Sequence, residues 1–210
     1  MNPVLKEIIE WIYCFIVAIG LALVIRYYLV TPTVVKQSSM YPTLQNNERL
    51  ILSRTFRISG LKLDYEDIIT FEAPTRMYTS EDEISQSAPY AIYDEQEKNA
   101  FSEFLYNVVD VGKMSYIKRV VGLPGDHIVI EEGKVYRNGV LLEERYLPEG
   151  TVTYSKIFYD IIVPENTVFA LGDNRSGSGD CRHFGCIPFE KIEGIVEFRF
   201  WPFNKWGAVE

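Results

Sequence analysis

Two residues with the means to do chemistry stand far apart in this chain. Ser39 begins the run Ser39-Met40-Tyr41-Pro42-Thr43-Leu44, nine residues past the end of a membrane-length apolar segment, Trp11 to Val30. Lys118 sits in Tyr116-Ile117-Lys118-Arg119-Val120-Val121-Gly122-Leu123-Pro124-Gly125-Asp126, within an otherwise apolar strand pattern. A serine hydroxyl is a weak nucleophile until a base takes its proton, and a desolvated lysine can be that base because burial disfavours the ammonium form. Singly, each residue has an ordinary structural use. The serine before Tyr-Pro-Thr fits a turn into a strand, and lysines often snorkel from sheet edges. A third run strengthens the pairing: Gly172-Asp173-Asn174-Arg175-Ser176-Gly177-Ser178-Gly179-Asp180-Cys181-Arg182-His183-Phe184-Gly185, a turn-rich stretch carrying hydroxyls and both signs of charge.

The elements that must position these residues divide into a helix and a set of short strands. Trp11 to Val30 is apolar except for Arg26, with Trp11 and Tyr27/Tyr28 placed as interfacial aromatics and Arg26 able to reach the headgroups. A cleavable leader is the rival reading, with Lys6 as a weak basic region and Gly20-Leu21-Ala22 as a small-x-small site. The apolar run continuing past Ala22 favours a retained anchor. The positive-inside count does not decide orientation, since Lys6 lies on one side and Arg26 and Lys36 on the other. Thr31-Pro32-Thr33 is expected to end the helix. Beyond it, Arg49–Leu52, Asp67–Phe71, Tyr116–Val121, Thr167–Leu171 and Ile195–Phe200 read as strands. His127–Ile130 and Lys134–Tyr136 read as a hairpin across Glu131-Glu132-Gly133, and Asn138-Gly139 is a further turn signal. The expected fold is mainly β: one N-terminal transmembrane helix followed by a coiled or barrel-like all-β domain.

Residues 80–97 depart from this pattern, with Glu81, Asp82, Glu83, Asp94, Glu95 and Glu97 reading as an exposed acidic insertion. Phe101, Phe104, Leu105, Val108 and Val109 then follow helical spacing. A short amphipathic helix packed on the β-body is the favoured reading. A membrane- or partner-contacting helix is the alternative, although its face has no basic residues to meet anionic lipid.

In their order after a single span, these runs resemble those of the bacterial type I signal peptidases. Ser39 to Leu44 is similar to the family's nucleophile box, Tyr116 to Asp126 to its lysine box, and Gly172 to Gly185 to its Gly-Asp-Asn-Arg-Ser box. Tyr65-Glu66-Asp67-Ile68-Ile69-Thr70-Phe71 resembles its Gly-Asp-Ile-Val strand, with Glu66 where glycine is usual. The single span and small size are similar to the Gram-positive branch.

The resemblance implies a serine endopeptidase with a Ser39/Lys118 dyad that removes signal peptides from exported preproteins after an Ala-x-Ala-like motif. It implies Ser178 as the hydroxyl that orients the lysine, and Asp180 and Arg182 as an ion pair beside the site with Arg119 close by. The oxyanion would be held by the Ser39 amide and, where relatives carry a serine, by the side chain of Gln37. Val35, Met40, Leu44, Tyr116 and Ile117 would line two shallow pockets. Cys181 stands where a serine is common. Also implied are a short cytoplasmic tail (1–10), a span (11–30), and an extracytoplasmic catalytic domain (31–210) interrupted by an insertion around 75–113. The enzyme would be single-pass in the cell membrane, with signal peptides and the bilayer as partners, the export machinery nearby, and no cofactor or metal.

Composition bounds the remaining choices. The 210 residues suffice for one sizeable domain plus an anchor. A net charge of −8, with scattered lysines and arginines, argues against a nucleic-acid partner. Cys181 and Cys186 leave a loop disulfide and free thiols both open. Their Cys-Arg-His-Phe-Gly-Cys spacing offers a metal only three visible ligands, and Cys14 reads as a small hydrophobe of the apolar segment.

Overall fold

A computed structural model of the chain describes residues 2–79, 89–94 and 99–209. The acidic stretch predicted at 80–97 falls largely outside the described residues. The helices are α1 (Pro3–Tyr28), α2 (Phe56–Ser59), α3 (Ala100–Val108) and α4 (Cys181–Phe184). The strands are β1 (Val30–Val34), β2 (Arg49–Ser53), β3 (Ile68–Glu72), β4 (Ser115–Gly122), β5 (His127–Glu131), β6 (Lys134–Arg137), β7 (Val140–Leu141), β8 (Asp160–Ile162), β9 (Thr167–Leu171), β10 (Ile187–Pro188), β11 (Ile192–Trp201) and β12 (Gly207–Ala208).

The apolar helix starts earlier than hydropathy suggests, at Pro3 rather than Trp11. Asn2 accepts from the Val4 amide at 3.1 Å, and Pro3 occupies the first turn, where its missing N–H has no partner to lose. No α1 residue is buried. The helix is long and apolar enough to cross a membrane. It ends at Tyr28, and Thr31-Pro32-Thr33, predicted to be the stop, lies inside strand β1 instead. β1 pairs only with β2, and an edge strand tolerates a proline because it has a ladder on one side only.

Two antiparallel sheets make up the body. The larger runs β1-β2-β11-β3-β4-β9-β10, with β12 added on β11; the smaller runs β7-β6-β5-β8. The all-β expectation holds, but the larger sheet is open, ending at β1 and β10, rather than closed as a barrel. The two predicted turns have the conformation two-residue hairpins require. Glu132 and Gly133 have φ of 49° and 77°, and Asn138 and Gly139 have 54° and 77°. The main core lies between the sheets, where Ile128, Ile130, Val135 and Ile161 of the small sheet meet Val120, Phe169 and Leu171 of the large one. A second cluster, including Val35, Met40, Leu44, Leu52, Ile68 and Ile117, packs around the first strands of the large sheet.

The predicted amphipathic helix exists as α3, but only half of its apolar face packs. Phe101 and Phe104 are exposed, while Leu105 and Val108 are half-buried. Arg26, expected at the headgroups, bonds to the end of this helix, at the Val108 and Val109 carbonyls and the Asp110 carboxylate.

Cys181 and Cys186 are free thiols and fully buried. The Cys181 sulfur accepts from the Ala170 amide. Burial pushes the Cys181 thiol well up and the Cys186 thiol up to about 12, so both stay protonated and inert. Thiol titration of the denatured protein without reductant should therefore count all three cysteines; a count of one would show a disulfide.

Candidate active site

Three segments converge on one end of the large sheet. Ser39 lies in the turn after β1, Lys118 in the middle of β4, and the loop 172–180 follows β9. β4 holds Lys118 in place through antiparallel pairing with β3, opposite Ile69, while β9 pairs with the Arg119–Gly122 half of the strand. Among the described residues, the Ser115–Lys118 half thus has no strand on its β9 side.

The two residues singled out in the sequence meet. Lys118 Nζ lies 2.8 Å from Ser39 Oγ, and it donates to the Ile117 carbonyl at 2.8 Å. Both side chains are withdrawn from solvent, Lys118 at 1% exposure and Ser39 at 5%. The Tyr116 ring stands 5.3 Å from Nζ and rests on Phe71 and Phe184. Desolvation drives the Lys118 amine down to about 8; the nearby Asp180 and Asp173 carboxylates oppose this shift without reversing it. A neutral amine suits the geometry. It has N–H groups for the Ile117 carbonyl and a lone pair to accept the Ser39 hydroxyl proton.

Asp180 and Arg182 form the buried pair expected beside the site, with Nε–Oδ1 at 2.8 Å and Nη2–Oδ2 at 2.9 Å. Burial pushes the Asp180 carboxyl up, but Arg182 and the Gly172 amide outweigh it and hold the pKa below the ordinary value. Arg119 does not join this pair. It makes a bidentate bond with Asp173, at 3.1 and 2.9 Å, and Asp173 also accepts from Thr43 Oγ1 at 2.5 Å. Asn174 donates its backbone N–H to the Ser39 carbonyl at 3.0 Å and its side-chain amide to the Ser38 carbonyl at 3.1 Å. Asp173 and Asn174, part of the turn-rich stretch, therefore clamp the nucleophile segment. Their spacing gave no hint of this, because Thr43 and Arg119 are remote in the chain. Arg175, also unanticipated, is buried against Glu144, Thr153 and the Gly172 carbonyl and fixes the loop from behind.

Ser178 is adjacent but does not do what was expected. Its Oγ is buried and serves the Asp180 carboxylate, helping to hold that pKa down, and it does not bond to Lys118. The lysine's direction comes from the Ile117 carbonyl instead, while Ser178 packs over the Gly172 α-carbon. Gln37 is exposed and lies beside Ser39 in a 460 Å³ cavity with Ser38, Tyr116 and Gly179. Among the described residues, no hydrogen bond uses the Ser39 amide.

That cavity shares Lys36, Gln37 and Tyr116 with a 590 Å³ groove running between residues 31–37 and 112–117. Val35, Tyr116 and Ile117, expected in the pockets, line this groove. Met40 and Leu44 do not. Both are 0% exposed and belong to the second core cluster, because the turn after Ser39 points them inward.

Comparison with known proteins decides the family. A family model described as "Signal peptidase, peptidase S26" matches residues 8–201. The chain belongs to the signal peptidase family. It is 32% identical over 208 residues to signal peptidase I of Bacillus licheniformis, covering 95% of this chain and 92% of that one. Identity is 30% over 209 residues to signal peptidase I S of Bacillus subtilis (strain 168), covering 95% and 92%. It is also 30% over 219 residues to signal peptidase IB of Staphylococcus aureus (strain COL), covering 96% and 93%. As a signal peptidase, the chain is a serine endopeptidase, and α1 is its membrane anchor.

Gly172 is the tightest point of the site. A Cβ there would stand 2.1 Å from Ser178 Oγ and 2.5 Å from the Ser39 carbonyl oxygen. Gly172→Ala should therefore shift the Ser39 backbone and lower kcat by on the order of 100-fold while the circular dichroism spectrum stays native. Unchanged kcat would show that the site is less constrained than these contacts imply.

Proposed function

We propose that Ser39 is the nucleophile and Lys118 the general base of signal-peptide cleavage in this chain. The observation that carries this is the 2.8 Å contact between a buried, pKa-lowered amine and the hydroxyl. Lys118 takes the Ser39 proton as Oγ bonds to the scissile carbonyl carbon. The resulting lysinium passes that proton to the amine of the departing mature protein as the C–N bond breaks. Lys118, neutral again, takes a proton from water as the water oxygen bonds to the ester carbon, and returns it to Ser39 Oγ as the acyl C–O bond breaks and the signal peptide leaves. The tetrahedral oxyanion falls to the Ser39 N–H, which is free of other partners among the described residues, with the Gln37 side-chain amide at hand in the same cavity.

The groove supports extended binding. β1 is an edge strand, and the Ser115–Lys118 half of β4 lacks a neighbour on one side, so an extended peptide has backbone partners to hand. Val35 and Ile117 form its apolar floor, which suits small side chains next to the scissile bond. In the membrane, the residues before Trp11 form a cytoplasmic tail, the rest of α1 to Tyr28 the span, and the chain from β1 onward the extracytoplasmic catalytic domain. The anchor keeps the groove where exported chains emerge, close to the export machinery, and raises the effective substrate concentration.

Ser39→Ala and Lys118→Ala should each abolish cleavage of a model preprotein while leaving the melting temperature within a few degrees or raising it; full activity in either variant excludes the dyad. The base must be neutral, so kcat/KM should fall about tenfold per pH unit below pH about 8 and level off above it. A profile flat from pH 6 to 9 would contradict a lysine base.

A further inference from the structure

We infer that α3 is an interfacial helix, seated in the headgroup region of the bilayer beside the anchor, where it fixes the mouth of the substrate groove against the lipid surface. The helix presents Phe101, Phe104, Leu105 and Val108 along one narrow face. Phe101 is 70% and Phe104 43% exposed, so the β-body does not cover the front of that face. The opposite side is occupied: Tyr106 donates to the Glu72 carboxylate of β3 at 2.7 Å. The orientation is thus fixed from the polar side, with the aromatic side turned outward.

The position of α3 along the membrane normal follows from Arg26. This residue lies in the last turn of α1, directly after the uninterrupted apolar stretch. It bonds to the Val108 carbonyl at 3.2 Å, the Val109 carbonyl at 3.0 Å and the Asp110 carboxylate at 2.8 Å. Those carbonyls belong to the end of α3, where a helix leaves its acceptors unsatisfied. A second cation, Arg54, holds Asp110 at 3.1 Å from the β-body. The carboxyl end of α3 is therefore locked at the level where the anchor leaves the hydrocarbon. A helix of nine residues is only about 13 Å long, so its aromatic face stays near that level.

The apolar surface continues past the helix through Val111 and Met114, 54% and 66% exposed, and Met114 stands on the rim of the groove. The occupant is lipid rather than a second protein surface, because the exposed face is continuous with an anchor already committed to the bilayer. With no basic residue in α3, insertion is apolar and independent of anionic lipid. A signal peptide leaving the membrane would meet the groove without crossing open water.

The inference rests on α1 crossing the bilayer, and the test keeps the two apart. In the full-length chain carrying Cys14→Ser, an environment-sensitive fluorophore is attached to Phe101→Cys, Asn107→Cys or Ile16→Cys, and each protein is reconstituted in phosphatidylcholine vesicles. Nitroxide on a shallow acyl position should quench the probe at 101 at least about twofold, whereas aqueous iodide should quench the probe at 107 and spare 101. Iodide quenching at 101 equal to that at 107 overturns the proposal. Protection of 101 from both quenchers also overturns it, in favour of a protein partner or a second copy. Lipid quenching at 16 without lipid quenching at 101 defeats the proposal and spares the anchor; its absence at both positions defeats both.

Discussion

A lysine ammonium in water holds its proton far too tightly to serve as a base near neutrality, and this site depends on denying Lys118 that water. The drop from the usual lysine value of 10.5 to about 8 corresponds to roughly 3 kcal/mol against the charged form. β3 pairs along the Lys118 half of the strand, the Tyr116 ring stands over the amine, and the Ile117 carbonyl directs it. Two carboxylates nearby would restore the proton if left bare. Asp173 is tied up by Arg119, and Asp180 by Arg182, which limits their pull on Lys118.

The same pairs do mechanical work. Asp173 connects Arg119, one residue from the base, to Thr43, four residues from the nucleophile. Asn174 grips the two carbonyls at Ser38 and Ser39. The segments bearing Ser39 and Lys118 are therefore joined through one loop rather than only by their direct contact. Because Asp173 and Arg119 are both fully withdrawn from solvent, truncating one partner would strand a buried charge, a change that typically costs about 3–5 kcal/mol. The clamp is thus as much a condition of folding as of catalysis.

What was legible in the sequence was whatever depends on residue type and local order. The strand runs around Lys118 and at Thr167–Leu171, the two glycine turns and the apolar anchor are all local signals, and all are present. β1 was missed because Pro32 reads as a stop; only its place at a sheet edge makes the proline harmless. The start of α1 was missed because Lys6, Glu7 and Glu10 mask a helix that Asn2 and Pro3 open. At the site, the Ser39–Lys118 pairing could be anticipated from chemistry and resemblance. The Asp173–Thr43–Arg119 clamp and the inward turn of Met40 and Leu44 depend on how distant segments pack, which spacing does not encode.

Cleavage by this pair requires the Lys118 amine to be neutral under working conditions. Its titration can be followed directly, by the 13C shift of lysine Cε in the labelled full-length enzyme, with the resonance assigned by its loss in Lys118→Met. A midpoint near 8 is expected. A midpoint at or above about 10, the value of a lysine in water, would contradict it.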